Sequence, residues 1–181
     1  DEVADQAIGM MIALNRGFLK VERSIKSSLE PWNCHAVQPV KRLSGATLGI
    51  VGLGRIGQAT AQRARAMRMR VIAYDPYLRP GTEKVFGVEM VSFEELLSTS
   101  DVVSLHTPLT KETEDLIDND ALSRMKSDSI LVNTSRGSVV NTAALAKALR
   151  SGKIAAAGID VLPIEPASED EPLIQLWREA D

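Results

Sequence analysis

The stretch "GLGRIG" at residues 52–57 restricts the possible folds of this chain more than any other feature. Glycines in G-x-G-x-x-G spacing are common, and alone they decide little. Here a short apolar run, "ATLGIVG" (46–52), leads into them, and the Ala-rich, helical "RIGQATAQRARAM" (55–67) follows. A second apolar run, "MRVIAYD" (69–75), closes on Asp75, 18 residues after Gly57. Strand, glycine turn, helix and a strand ending in an acid are the parts of a βαβ unit that holds a dinucleotide. Gly52 permits the tight turn, Gly54 lets a pyrophosphate approach the backbone, and Gly57 lets helix and strand pack closely. Arg55 and Ile56 offer free N–H groups at the positive end of the helix dipole. Asp75 accepts from ribose hydroxyls and repels a 2′-phosphate, which favours NAD over NADP. Arg79, four residues on, is a cation that can act the other way.

The rest of the chain repeats the alternation. "DVVSLHTP" (101–108), "SILVNTS" (129–135) and "AAAGIDV" (155–161) read as buried strands. Helices fall between them: one starting at Ser92, with Glu95 placed for a capping box, a short one in "NDALSRM", and "NTAALAKALRSG" (141–152), stopped by Gly152. Apolar strands alternating with helices predict a Rossmann-type α/β domain, a doubly wound parallel sheet with helices on both faces. Ahead of it, Val3, Ala7, Met10, Met11, Leu14 and Phe18 share a helical face. One long helix is expected from residue 3 to about 27. The two prolines of "LEPWNCHAVQP" then mark a connecting loop.

Composition excludes several classes. A net charge of -3 gives no basic footprint for nucleic acid, and no apolar run reaches the roughly 20 residues of a membrane span. One cysteine, Cys34, allows no internal disulfide or multi-Cys metal site and fits a reducing cytoplasm. A Cys34–His35 nucleophilic pair is disfavoured, because adjacent residues rarely present both side chains to one point. The opening "DEVADQ" has no initiator Met and no basic leader, which is expected of a cut or processed end.

Ligands of such sheets sit at the carboxyl ends of the strands. Asn133, Thr134, Ser135 and Arg136 end one strand there, and the planar fork of Arg136 suits a carboxylate. A surface salt bridge is the other fate open to it. Asp160 and Glu165 close the next strand. Glu165 can raise the pKa of a neighbouring imidazole, or can merely solvate an acidic loop with Glu169, Asp170 and Glu171. His106 can lie beside a cofactor, but a strand-end histidine held by backbone groups is the plainer expectation.

The stretches "VADQAIGMMIALNR", "GATLGIVGLGRIGQA", "VIAYDPY", "DVVSLHTPLTKETEDLID", "LVNTSRGSVV" and "GIDVLPIEP" together resemble the NAD-binding domain of the D-2-hydroxyacid dehydrogenases. "YDPYL" also resembles the subgroup of C-terminal binding proteins, NAD-dependent corepressors of the same fold. The resemblance implies a single NAD(P)-binding Rossmann domain over 1–181, flanked in the intact protein by a substrate domain. It implies that Gly52 to Gly57 and Asp75 hold NAD, with Thr107 and Pro108 on the adenosine side. Thr134, Ser135, Arg136 and Asp160 would flank the nicotinamide. Arg136 would grip the carboxylate of a small 2-keto or 2-hydroxy acid, and Glu165 would pair with a catalytic histidine. No histidine follows Glu165 in this sequence. Leu162 and Asn141 also stand where many members carry other residue types, which leaves the substrate class open. The family implies a homodimer through the first helix. Two rivals remain: a corepressor-type NAD sensor, and another Rossmann protein such as a methyltransferase.

Overall fold

The computed structural model describes residues 1–27 and 40–179. The expected loop at "LEPWNCHAVQP", with Cys34 and His35, lies outside the described residues. Six strands form one parallel sheet: β1 (Thr47–Val51), β2 (Arg70–Tyr74), β3 (Glu89–Met90), β4 (Val102–Leu105), β5 (Ile130–Asn133) and β6 (Ala156–Ile159). Their order is β3-β2-β1-β4-β5-β6. The chain therefore works outward from β1 in one direction, then returns and builds outward in the other. The reversal falls between β1 and β4, where Leu48 pairs with Val102 and Val51 with Leu105. Loops leave the sheet on opposite sides at such a point and open a crevice at the carboxyl edge.

Both faces of the sheet are covered, so the strands read as nearly continuous apolar runs. Leu48, Ile50, Val71, Val102, Ile130 and Val132 pack under α1 (Glu2–Arg16) and α3 (Arg55–Ala66), whose Ala7, Met11, Ala61 and Ala64 are buried. Val51, Ile72, Val103, Leu105 and Leu131 pack under α5 (Phe93–Thr99), α6 (Asn119–Arg124) and α7 (Thr142–Arg150). Alternation along each strand sends successive side chains to opposite layers. Gly49 leaves room for α5: a Cβ there would lie 2.2 Å from Ser100 Oγ and 2.8 Å from Leu96.

Helix starts follow the side-chain chemistry. The Ser92 hydroxyl accepts from the Glu95 N–H at 3.1 Å, Asp118 from Ala121 at 2.9 Å and Asn141 from Ala144 at 2.9 Å. Each satisfies one of the N–H groups a helix start leaves open.

The first helix departs from expectation. It stops at Arg16, Gly17 takes a left-handed φ of 68°, and a second helix, α2 (Phe18–Ser27), begins at once. Gly17 N–H donates to Leu14 O, a helix-ending turn that glycine enters without strain. Phe18, expected on the buried face, is 57% exposed as a result. After the acidic loop comes a last helix, α8 (Pro172–Glu179), which contacts α7. The small elements α4 (Thr82–Phe86) and β3 fall below what periodicity detects.

Leu131 is fully buried at the centre of β5. Leu131→Ala should cost about 2–5 kcal/mol through lost burial and a residual cavity. Val85→Ala, at a largely exposed position, should stay within about 0.5 kcal/mol. Urea unfolding followed by far-ultraviolet circular dichroism measures both.

Candidate functional site

The crevice starts at the glycine turn after β1. Gly52 has φ 90°, and a Cβ on it would lie 2.8 Å from His106 O, so turn and β4 end touch backbone to backbone. Gly57 is tighter: its Cβ would lie 2.2 Å from Gly52 O. Helix α3 thus reaches the sheet only because residue 57 lacks a side chain. Gly54 differs from both. No protein atom lies within 4 Å of a Cβ built there. Packing gives no reason for glycine at 54, whereas a ligand approaching the backbone does. Gly54 is also the N-cap of α3 and contributes no side chain, so the first turn, with Arg55 and Ile56, has no side-chain cap.

Asp75 stands beside this turn at the end of β2. Its Oδ2 accepts from Leu53 N–H at 2.9 Å and its Oδ1 from Tyr77 N–H at 2.9 Å. Two backbone donors fix the carboxylate, and each oxygen keeps a lone pair for a further donor. The same bonds tie it to the glycine loop. Tyr77 donates to Glu112, linking the loop after β2 to the loop after β4, which carries Thr107 and Pro108.

At the end of β5, Asn133 organises the next loop. Its buried Oδ1 accepts from Ser135 N–H at 3.0 Å and Ser135 Oγ at 2.8 Å, while its Nδ2 donates to Arg136 O at 3.0 Å. The sequence placed Asn133 at the strand end without assigning it this work; a buried amide before a turn was the available signal. Arg136 is exposed and its guanidinium donates to Ser135 O at 2.7 Å. It forms no ion pair among the described residues.

Gly137 locks this loop to the one after β6. A Cβ there would lie 2.0 Å from Leu162 C and 2.3 Å from Pro163 N. The Leu162 N–H in turn donates to Glu165 Oε1 at 3.0 Å. Arg136 and Glu165, 29 residues apart, are therefore joined by one backbone contact and one hydrogen bond. Asp160 N–H donates to Asn133 O at 3.0 Å, continuing the β5–β6 ladder.

Two buried side-chain polar atoms among the described residues have no hydrogen-bond partner: Thr134 Oγ1 and His106 Nδ1. Both follow the paired strand-end residues Asn133 and Leu105. Such orphaned groups are rare in native cores and cluster where a ligand or water completes the set. The His106 ring is held by the Ser104 hydroxyl, 2.9 Å from Nε2, rather than by backbone groups as expected. Burial lowers its pKa to about 4, so it is neutral near pH 7.

These features fit a dinucleotide. An uncapped helix N-terminus, an open Gly54, a fixed carboxylate at β2 and orphaned polar atoms at β4 and β5 follow one another along the carboxyl edge. Among the described residues no helix is long and apolar enough to cross a membrane, and no group of three or more His, Cys, Asp or Glu could hold a metal ion.

Comparison with known proteins agrees. Residues 8–179 match the family model described as D-isomer specific 2-hydroxyacid dehydrogenase, NAD binding domain. A glyoxylate reductase of Korarchaeum cryptofilum is 46% identical over 180 residues, covering 97% of this chain and 53% of that protein. A D-3-phosphoglycerate dehydrogenase of Archaeoglobus fulgidus is 41% identical over 173 residues, covering 96% of this chain and 32% of that one. The crystal structure of NAD-dependent formate dehydrogenase from Staphylococcus aureus in complex with NAD superposes with a TM-score of 0.86 at 38% identity, covering 98% of this chain and 52% of that one. The chain thus spans about half or less of the length of these relatives. It belongs to the D-isomer specific 2-hydroxyacid dehydrogenase family, as an NAD-binding domain of that family.

Proposed function

We propose that this chain is the cofactor-binding part of an NAD-dependent dehydrogenase that interconverts a 2-keto acid and a D-2-hydroxy acid. Gly52, Gly54 and Gly57, with the N–H groups of Arg55 and Ile56, receive the pyrophosphate. Asp75 takes the adenosine ribose hydroxyls, and Thr107 and Pro108 line that side. Thr134, Ser135, Arg136 and Asp160 surround the nicotinamide. When bound, the cofactor supplies or accepts the hydride. The chain's own residues do the rest: Arg136 grips the substrate carboxylate and polarises the adjacent carbonyl, and Glu165 stabilises the protonated form of a histidine supplied from beyond this chain.

The observation that carries this reading is the Gly137–Leu162 contact. It sets a cation with no ion pair among the described residues and an exposed carboxylate beside the same strand ends. Hydride transfer to a keto acid needs those two charges: one to hold the anionic substrate, the other to sustain a proton donor near neutrality. The reductase and dehydrogenases named above support an enzyme over a corepressor-type sensor. We place a homodimer contact on α2, where Phe18, Leu19 and Ile25 are 57%, 51% and 58% exposed. The reaction suits small acids in a reducing cytoplasm, with no role for nucleic acid or membrane.

The test uses the intact protein with glyoxylate, pyruvate and hydroxypyruvate. At least one should be reduced by NADH. Arg136→Gln should lower kcat/KM by about 2–4 kcal/mol, roughly 30- to 1000-fold, with a much smaller loss of NADH affinity. An intact protein that binds NADH and reduces none of the three would defeat the proposal. A second variant isolates the cofactor site. Gly54→Ala adds a Cβ with no protein atom within 4 Å and sits at φ -73°, so the thermal midpoint should fall by no more than about 4 °C, the cost of a poorer N-cap, while NADH affinity falls about 30-fold or more.

A further inference from the structure

We infer that Gln6, on the first helix, is a positioning residue for the nicotinamide half of the cofactor, acting through Asp160. The inference rests on the reading of Asp160 given above and extends it to a residue of α1, outside the glycine motif. Gln6 Nε2 donates to Asp160 Oδ1 at 3.0 Å, across 154 positions of sequence. Asp160 lies one residue beyond β6, at its carboxyl end. Its Oδ2 has no partner among the described residues. Fixing one oxygen leaves the other with a defined direction, and an ionised carboxylate only accepts. The nicotinamide ring offers it one donor, the carboxamide NH2, and the carboxylate position beyond β6 suits the ring end of the dinucleotide. The cofactor's adenosine end is placed by Asp75 at β2, so its other end extends past the β1–β4 reversal towards β5 and β6.

The local geometry explains why Gln6 can reach. Gln6, Met10 and Leu14 are spaced i, i+4, i+8 and share one face of α1. Asp160 and Gly158 are spaced by two on the opposing strand. A Cβ on Gly158 would lie 3.1 Å from Met10 Cβ and 3.3 Å from Leu14, so the glycine brings helix and strand together. Two turns of α1 thus run along β6, and the turn beyond the strand places Gln6 against Asp160.

The same end of α1 is fixed to the other half of the site. Asp5 accepts from Arg63 Nε at 2.6 Å, and Asp1 from Arg63 Nη2 at 3.2 Å. Arg63 belongs to α3, the helix whose start faces the pyrophosphate. Ala7, the next residue after Gln6, is buried. With Asp5 tied to α3 and Ala7 packed on the sheet, the Gln6 backbone has little freedom. The α1 N-terminal turns therefore brace the pyrophosphate helix on one side and the Asp160 carboxylate on the other.

The test compares NADH with ADP-ribose, which keeps the adenosine and pyrophosphate but lacks nicotinamide. Wild type, Gln6→Leu and Gln6→Glu are titrated with each, NADH by its own fluorescence and ADP-ribose by calorimetry. Gln6 is exposed and Leu is a good helix former, so the thermal midpoint should not move. Gln6→Leu should weaken NADH about three- to tenfold and leave ADP-ribose within about twofold. Gln6→Glu sets a second carboxylate against Asp160 and should weaken NADH at least as much. Equal losses for both ligands, or no loss for NADH, would overturn the inference while leaving the dinucleotide site intact. Failure of wild type to bind either ligand would overturn the functional proposal together with the inference.

Discussion

The absence of a side chain at residue 57 is the constraint on which the rest of the structure depends. With a Cβ there placed 2.2 Å from Gly52 O, any other residue would force α3 off β1. Moving α3 would shift its uncapped first turn away from the crevice and release Arg63, which anchors the start of α1. It would also pull Leu53 from the Asp75 carboxylate. Helix dipole, ribose acceptor and the bracing of the first helix all depend on this one close approach.

A second backbone contact does for the reacting end what Gly57 does for the phosphate end. Gly137 sits against the Leu162–Pro163 peptide, and through the Leu162 amide the position of Arg136 is communicated to Glu165. The Asn133 side chain fixes the intervening turn from beneath. Substrate grip and proton chemistry would thus be assembled from loops of two adjacent strands, with rigid β5 and β6 as their base. The neutral His106 ring and the Thr134 hydroxyl lie buried at this edge with polar atoms left open, a state that burial makes costly unless something completes it.

Much of this was legible in the residues. The five longer strands, the helix after the glycine turn, and the Ser92 start emerge from patterns a few residues long, because local capping and alternation are local physics. The break at Gly17 leaves no clear mark in the sequence, because an isolated glycine within apolar periodicity costs a helix only about 1 kcal/mol. Its left-handed turn is decided by what the flanking helices pack against, which the local pattern does not record. The two-residue β3 and five-residue α4 are too short to carry a period. The candidate site residues all lie on motifs, whereas Gln6, Ser104 and the role of Asn133 carry no motif that would single them out. The Gln6–Asp160 bond joins the two ends of the chain, and no spacing rule reaches 154 residues. Leu162 looked like a departure from type, yet it is its backbone N–H that engages Glu165.

The central claim is that a dinucleotide lies across the carboxyl edge with its adenosine ribose against Asp75. Titrating the protein with NADH and with NADPH under the same conditions tests it most directly. The Asp75 carboxylate, fixed by two backbone N–H groups, should accept ribose hydroxyls and repel a 2′-phosphate. The account predicts that NADH binds about tenfold or more tightly than NADPH. Equal or tighter binding of NADPH, or no binding of either, would contradict it.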